Sequence, residues 1–576
     1  YLMLADHLRK SYNGVDKNAS RQYNVPFYVA VQTQLREMEK LRMQGLYADK
    51  ILYSGFEWDM PGLDHASVGL IDPDDGDAVP AQGIHQFEWL YGSQQDGDDT
   101  SLFDGDSIDE QALWGDRKNP NGASGSVDTA VEAAEWVEQN YPDSFILPNH
   151  PSRHNGGTGE VTIEALRKLN DAAPGVVFGF EGLPGNQMDD SCELPDSDIR
   201  GGADEMIAVT GGVWDALLSE GRKFYNFANS DFHFKISSNE QYSSGYWASE
   251  FSNNYTWVEP GNDGQFTFSD VVEGMRSGNS YAVKGNLISA LTFTVSDGSG
   301  AATMGGELTA KEGEPVTVTI RFKVPEKNNY QSLYNTATKL GADNSPEVDH
   351  VDLIMGHVTG KVDGVNYSST DNTDAKTELA AAKGVDGFYT LTYTTEADSD
   401  LYFRVRGVSF NEVDSNGDPV THERSIPSVS TKEKFDYIND YNYTHLSFYA
   451  NPVWVTVSET GDTPEAPEAQ TTGMENGSAS LDLTKIAGYS AGQFDVDGGV
   501  MEIVAYNSAN DYAYAVNGKS GKLAVIPMKD LKNTGAVSAL TGISFDVKAA
   551  VQAKDGSFTY GDMTSVAVSP DGKTLA

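Results

Sequence analysis

The chain has 576 residues, with 85 acidic against 40 basic side chains, a formal charge of −45 and a pI near 4.4. That balance excludes nucleic-acid recognition through a broad basic face. The single cysteine, Cys192, excludes an intrachain disulfide and a cysteine-rich zinc site, and no apolar run approaches the ~20 residues of a membrane-spanning helix. The length predicts several domains, and the acidity suits a salty or extracellular setting where screening weakens self-repulsion.

Residues 1–285 alternate strand-like and helix-like segments, the pattern of a mostly parallel α/β architecture. Leu2 to Ala5 reads as a strand ending in Asp6-His7, and Pro26 to Gln44 as a helix. Ile51 to Phe56 is a strand ending in Glu57, and Ala66 to Ile71 is a further apolar run behind His65. The acidic stretches Asp72 to Asp77 and Asp96 to Asp109 read as solvated loops, because no full EF-hand spacing is present. Asp128 to Asn140 is a helix with Asp128 as its cap and Ala130, Ala133, Ala134 and Val137 on one face. Phe145 to Asn149 is a strand ending in His150, followed by a helix at Thr162 to Leu169 and a strand at Val176 to Glu181. Val213 to Glu220 and Phe268 to Arg276 are helical, and between them Phe224 to Ser230 is a strand that runs into Asp231-Phe232-His233.

From about Leu287 the period changes to short alternating strands: Leu291 to Val295, Val316 to Ile320, Val351 to Ile354, Phe388 to Tyr393 and Leu401 to Val405. They predict an all-β sandwich over 286–458. Asp414, Asn416 and Asp418 read as a plain turn, since Gly417 falls at the wrong place for a calcium loop. Residues 459–480 are rich in Pro, Glu and Thr and predict an extended linker. In 481–576 the strand-like runs at Met501 to Tyr506, Tyr512 to Asn517 and Leu523 to Ile526, with the turn Pro570-Asp571-Gly572, predict an incomplete propeller-like module.

Six of the histidines, His7, His65, His85, His150, His154 and His233, fall in the first 233 residues, most of them at strand ends and beside Glu57 and Asp231. A set of imidazoles and carboxylates without thiolate suits Zn, Mn or Fe with coordination positions left for water. His85 and His154 read as ordinary loop residues, and Trp58 as core. In order along the chain, Ala5-Asp6-His7, Gly55-Phe56-Glu57, Leu63-Asp64-His65, Pro148-Asn149-His150-Pro151 and Asn229-Ser230-Asp231-Phe232-His233 resemble the motifs of the PHP (polymerase and histidinol phosphatase) family of metallohydrolases.

That resemblance covers residues 1–285 and implies a distorted (β/α)₇ barrel. It implies that Glu57 bridges two metals, that His65 and His150 bind one of these and Asp231 the other, and that His7 and His233 hold a third. Glu57, His150 and Asp231 then carry the catalysis, with two or three divalent ions (Mn, Zn or Fe) and a metal-bridging hydroxide attacking a small phosphoester. Asp6 is either a ligand or a residue that orients one; Glu181 stands behind the ligands, and Arg153 and Arg200 are cations for a substrate phosphate or members of exposed ion pairs. The family's first motif, His-x-His on the first barrel strand, does not occur here, so the chain is expected to lack that strand, to be a piece of a longer protein and to be inactive on its own. The segment around Leu483-Thr484-Lys485-Ile486 and Glu502 to Tyr506 resembles the start of the choice-of-anchor I propeller domain of bacterial surface proteins. It implies an extracellular, cell-surface or periplasmic address, with anchoring to the envelope by a C-terminal part beyond this sequence. Two other readings stay open: a non-catalytic surface binding scaffold on a degenerate barrel, and a metal-dependent amidohydrolase using the same ligands.

Overall fold

The computed structural model describes residues 1–8, 12–15, 22–25, 27–47, 50–93, 109–154, 157–185, 203–232, 251–260, 266–327, 345–362, 373–378, 382–383, 387–410, 445–458, 487–490, 500, 504–529, 531, 538–561, 563, 565–569 and 573–575. The proposed linker, the Asp414 to Asp418 turn and most of the Asp96 to Asp109 loop lie outside these residues. The chain divides into two compact units, Tyr1–Ala479 and Ser480–Ala576.

In the first unit, β1 (Leu2–Leu4) is followed by a short hairpin of β2 (Tyr12–Val15) and β3 (Gln22–Val25). β1 pairs in parallel with β4 (Leu52–Ser54), and the bridge between His7 and Glu57 carries the same register on to β5 (Phe56–Asp59). β6 (His65–Gly69) returns antiparallel to β5, because a connection as short as residues 60–64 permits only a hairpin and not a crossover. Gly62 takes φ +76° in that turn, and a Cβ there would meet backbone atoms of Gly125 and Val127 at 2.9 Å. β7 (Phe145–Pro148) pairs antiparallel with β6 and so runs parallel to β5. A parallel bridge from Asn149 to Glu181 links it to β8 (Gly179–Pro184), which pairs in parallel with β9 (Tyr225–Asn229).

One edge of this array therefore gathers the carboxyl ends of β5, β7, β8 and β9 with the amino end of β6. Among the described residues no sheet closes on itself.

The strands are covered by helices whose apolar faces enter one core. In Val127–Asn140 the buried residues are Ala130, Ala133, Ala134 and Val137, the face read from the sequence, while the cap is Ser126, whose hydroxyl accepts from the Thr129 amide, and not Asp128. Phe268–Arg276 opens on a capping box between Thr267 and Asp270. Ala81–Tyr91 was not anticipated: Ile84, Phe87, Leu90 and Tyr91 make a helical stripe that Gly83 and Pro80 obscure. No described helix is long and apolar enough to cross a membrane.

The strands β10 (Ser252–Thr256), β11 (Ser280–Lys284), β12 (Ala290–Ser296), β13 (Ala301–Thr303), β14 (Glu307–Lys311), β15 (Pro315–Lys323), β16 (His350–His357), β17 (Thr373–Glu378), β18 (Ala382–Lys383), β19 (Tyr389–Glu396), β20 (Leu401–Val408) and β21 (Ser447–Ser458) form two sheets. One has the order β10-β11-β21-β20-β16-β17 with β14 beside β21; the other is β13-β12-β15-β19-β18. β10 and β11 precede residue 286, so the α/β segment and the all-β segment share a sheet with no linker between them.

β20 shows how that sheet serves both sides. Phe403 and Val405 enter the core between the two sheets, while Tyr402 packs into the α/β core. Arg404, on the same face as Tyr402, grips Asp215 of the helix Val213–Ser219 with Nε and Nη2 at 2.6 and 2.7 Å. Arg406 donates to Asp352 at 2.8 Å and to the Ala208 carbonyl at 2.6 Å. All four charged side chains are buried and paired, as a strand covered on both faces requires.

In the second unit, β22 (Ala487–Gly488) pairs with β26 (Ser538–Ala539). A four-stranded antiparallel sheet runs β23 (Val504–Asn507), β24 (Tyr512–Asn517), β25 (Lys522–Pro527) and β27 (Ile543–Asp546). It is followed by a helix, Val547–Lys554, that sequence periodicity did not suggest.

Candidate metal centre

β5 is Phe-Glu-Trp-Asp, so period-2 alternation sends Phe56 and Trp58 into the core and Glu57 with Asp59 to the opposite face. Two imidazoles meet that face. His7, delivered by β1, places Nε2 3.1 Å from Glu57 Oε2 and Nδ1 3.4 Å from Asp59 Oδ1. His65, at the start of β6, places Nδ1 2.9 Å from Glu57 Oε1 and Nε2 3.1 Å from Asp59 Oδ1. The rings of His7 and His65 meet edge to face with centroids 4.7 Å apart. His150, one residue past β7 and its neighbour Asn149, brings Nε2 to 3.6 Å from Glu57 Oε1.

Two donor groups result, His7 with Asp59 and His65, and Glu57 with His65 and His150; within each, one atom per residue lies within 4.8 Å of the others. His65 belongs to both. The residues fit a divalent metal: three imidazoles and two carboxylates converge with no thiolate, the donor chemistry of Zn, Mn or Fe.

Behind these side chains stands a second rank. Asn149 donates Nδ2 to Glu57 Oε1 at 3.1 Å and accepts from the Ser67 amide at 2.7 Å. Asp64 is buried; its Oδ2 lies 3.1 Å from His150 Nδ1, and it accepts from Arg153 through Nε at 3.0 Å and Nη2 at 2.7 Å. Arg153 Nη2 also lies 3.2 Å from His65 Nδ1, a contact that is a hydrogen bond only when that imidazole is neutral. Glu181 accepts from Ser67 Oγ at 2.7 Å and from Asn229 Nδ2, both through Oε1.

The electrostatics follow from burial set against these contacts. Burial alone raises a carboxyl pKa, yet the contacts with His150 and His65, with the charges of His65 and His7, hold Glu57 well below the usual range. Asp64 is held low in the same way, burial being outweighed by His150, His65 and Arg153. Burial lowers an imidazole pKa, but the neighbouring carboxylates Asp59 and Glu57 push His65 up to about 9, and Asp64 and Glu57 push His150 up to about 10. Glu181 is the exception: burial dominates its Ser67 and Asn229 contacts and pushes it up to about 8.

Of the residues singled out in the sequence, His7, Glu57, His65 and His150 come together. Asp231, two residues past β9, is half-buried, with φ 44° and its amide donating to Asn229 Oδ1 at 3.0 Å, and it belongs to neither donor group. Asp6 is exposed, accepts from Gln34 and is likewise outside both groups. His233 and Arg200 lie outside the described residues. His85 is in a helix and not a loop, stacked on Tyr28 with ring centroids 3.6 Å apart. His154 places Nε2 3.7 Å from Asp64 Oδ2, at the margin of the site.

Asp59 and Asp64 were missed in the sequence. Asp59 was within reach of the two-residue alternation that pairs Asp231 with His233; Asp64 carries no local signal, because its partner Arg153 is 89 residues away. No family model, no curated protein and no solved structure matches the chain.

Proposed function

We propose that residues Tyr1–Ala479 carry a metal-dependent phosphoesterase centre built on His7, Glu57, Asp59, His65 and His150, with Asp231 approaching from β9. The observation that carries this reading is the pair of donor groups sharing His65, since divalent cations bound at such a cluster would suit a charge-dense phosphoryl group. When bound, divalent cations supply Lewis acidity, activating water and neutralising charge that develops on phosphoryl oxygens. The protein's part is to fix the imidazole edges and to place Arg153 nearby as a cation. Backbone strain at His150, φ 31°, and at Asp231, φ 44°, supports the same reading, because non-glycine residues in this region cluster at functional sites. The charge of −45 disfavours polyanionic substrates and points to a small, singly phosphorylated ester. An address outside the cytoplasm belongs to the same proposal.

The test is elemental analysis with a panel of phosphoester, amide and carboxyl-ester substrates. A His150→Ala, Asp231→Ala double variant is the control. Bound transition metal and phosphoester turnover lost in the double variant are expected. Absence of bound metal, or turnover by the double variant equal to the parent's, refutes the reading; amide turnover alone replaces it with the amidohydrolase.

A further inference from the structure

We propose that Asp64 is a positioning residue with two dependants: it holds His150 so that Nε2 faces Glu57, and it holds Arg153 as the cation that meets an anionic substrate beside the cluster. The inference rests on reading the cluster as a metal centre for phosphoesters. Asp64 leads from the hairpin turn into β6, and its carbonyl accepts from the Met60 amide at 3.0 Å, so its backbone is fixed by the turn itself. Its side chain is only 4% exposed and belongs to neither donor group, yet four cationic or imidazole side chains, His65, His150, Arg153 and His154, converge on it.

Oδ2 faces both partners, and Oδ1 takes Arg153 Nη2. Oδ2 lies 3.1 Å from His150 Nδ1, so that edge of the ring faces the carboxylate and Nε2 faces Glu57. A carboxylate on the far nitrogen of a ligand imidazole fixes ring orientation and raises its basicity. The same carboxylate takes Arg153 in a fork, Nε to Oδ2 at 3.0 Å and Nη2 to Oδ1 at 2.7 Å. A forked guanidinium has lost its rotational freedom, and this one stands with Nη2 3.2 Å from His65, a residue common to both donor groups. Arg153 keeps about a fifth of its side chain exposed while Asp64 is shut away, the arrangement of a cation aimed at a ligand and backed by a buried anion.

Asp64→Asn separates the two duties. With its amide oxygen in the place of Oδ2, asparagine presents an acceptor to His150 Nδ1, but its NH2 opposes Arg153 Nη2 and breaks the fork. Three readouts follow on the full chain. In protein without added metal, a slowly exchanging His150 Nδ1–H resonance is expected in the parent and in Asp64→Asn, and lost in Asp64→Ala. Co(II) affinity is expected to fall about 10- to 100-fold in Asp64→Ala, the range for loss of such a partner, and to stay within about threefold in Asp64→Asn and Arg153→Met. Inorganic phosphate binding to the Co(II)-loaded protein is expected to weaken at least about tenfold in Asp64→Asn and in Arg153→Met, with Arg153→Lys partly restored.

A His150 Nδ1–H resonance that survives in Asp64→Ala, or phosphate binding unchanged in Arg153→Met, overturns the inference. Where Asp64→Ala does not fold, the Asp64→Asn and Arg153→Met arms decide it. Failure of the phosphoesterase reading is seen separately, in a parent that turns over no phosphoester, whereas each readout here compares a variant with the parent.

Discussion

Glu181 offers the sharpest test of the electrostatics beside the site. Its side chain is buried on β8, both of its donors, Ser67 and Asn229, use Oε1, and no described residue hydrogen-bonds to Oε2. Burial pushes its pKa up to about 8 from an ordinary 4.5. The native state therefore keeps a proton that the unfolded chain has released, and between those two values it binds more protons than the unfolded state. Stability then falls as pH rises, by about 1.4 kcal/mol per pH unit and about 5 kcal/mol across the whole window, levelling off above about pH 8.

Glu181→Gln removes this dependence while its carbonyl still accepts from Ser67 and Asn229. Urea midpoints of parent and variant, measured in chelator from about pH 5.5 to 8.5, are expected to diverge steadily, with the variant gaining about 3 kcal/mol on the parent over that range. Comparison of the two chains cancels the titrating groups that do not interact with Glu181; His150 and Glu57 do interact with it. A difference in midpoint that stays constant with pH refutes the reasoning.

The β20 ion pairs make a second test, of the junction between the α/β segment and the shared sheet. Arg404→Ala strands Asp215 in the interior and is expected to cost about 3–5 kcal/mol by urea denaturation, whereas Arg404→Met with Asp215→Leu recovers most of that loss. Equal losses in the single and double variants would show that the pair's charge is not the issue. A third test concerns the sharing of His65: elemental analysis of His65→Ala is expected to show loss at both donor groups, and of His7→Ala at one. The same stoichiometry in both variants would rule out a shared ligand.

How far the sequence could be read depended on whether its signal was local. β12 and β15 alternate strictly between buried and less buried positions, and their period is plain in the sequence. β20 is buried at every position, so its alternation is of partner and not of polarity: Phe403 and Val405 face one core, and Arg404 and Arg406 face acids supplied by residues 215 and 352. Such arginines look like surface in a sequence, since nothing nearby announces Asp215. The site divides in the same way. His7, Glu57 and His150 each end an apolar run and could be found; Asp64 could be quoted with His65 but not given a role until folding brought Arg153 and His150 to it.

What no periodicity could show is how two consecutive residues reach one carboxylate. An extended strand sends neighbours to opposite faces, so Asn149 and His150 should not share a partner. Yet Asn149 Nδ2 lies 3.1 Å, and His150 Nε2 3.6 Å, from the same Glu57 Oε1. The backbone accounts for it: at His150 φ is 31°, in the left-handed region, and the chain turns there so that the imidazole swings to the side its predecessor occupies. Glycine would adopt that conformation freely, and a histidine costs of order 1–3 kcal/mol. Asp231, at φ 44° past β9, repeats the device, its amide tied back to Asn229 Oδ1. Strand ends that leave the extended conformation at non-glycine residues, on the edge where Glu57, His65 and Asp59 converge, point to a backbone shaped around the side chains it must present there.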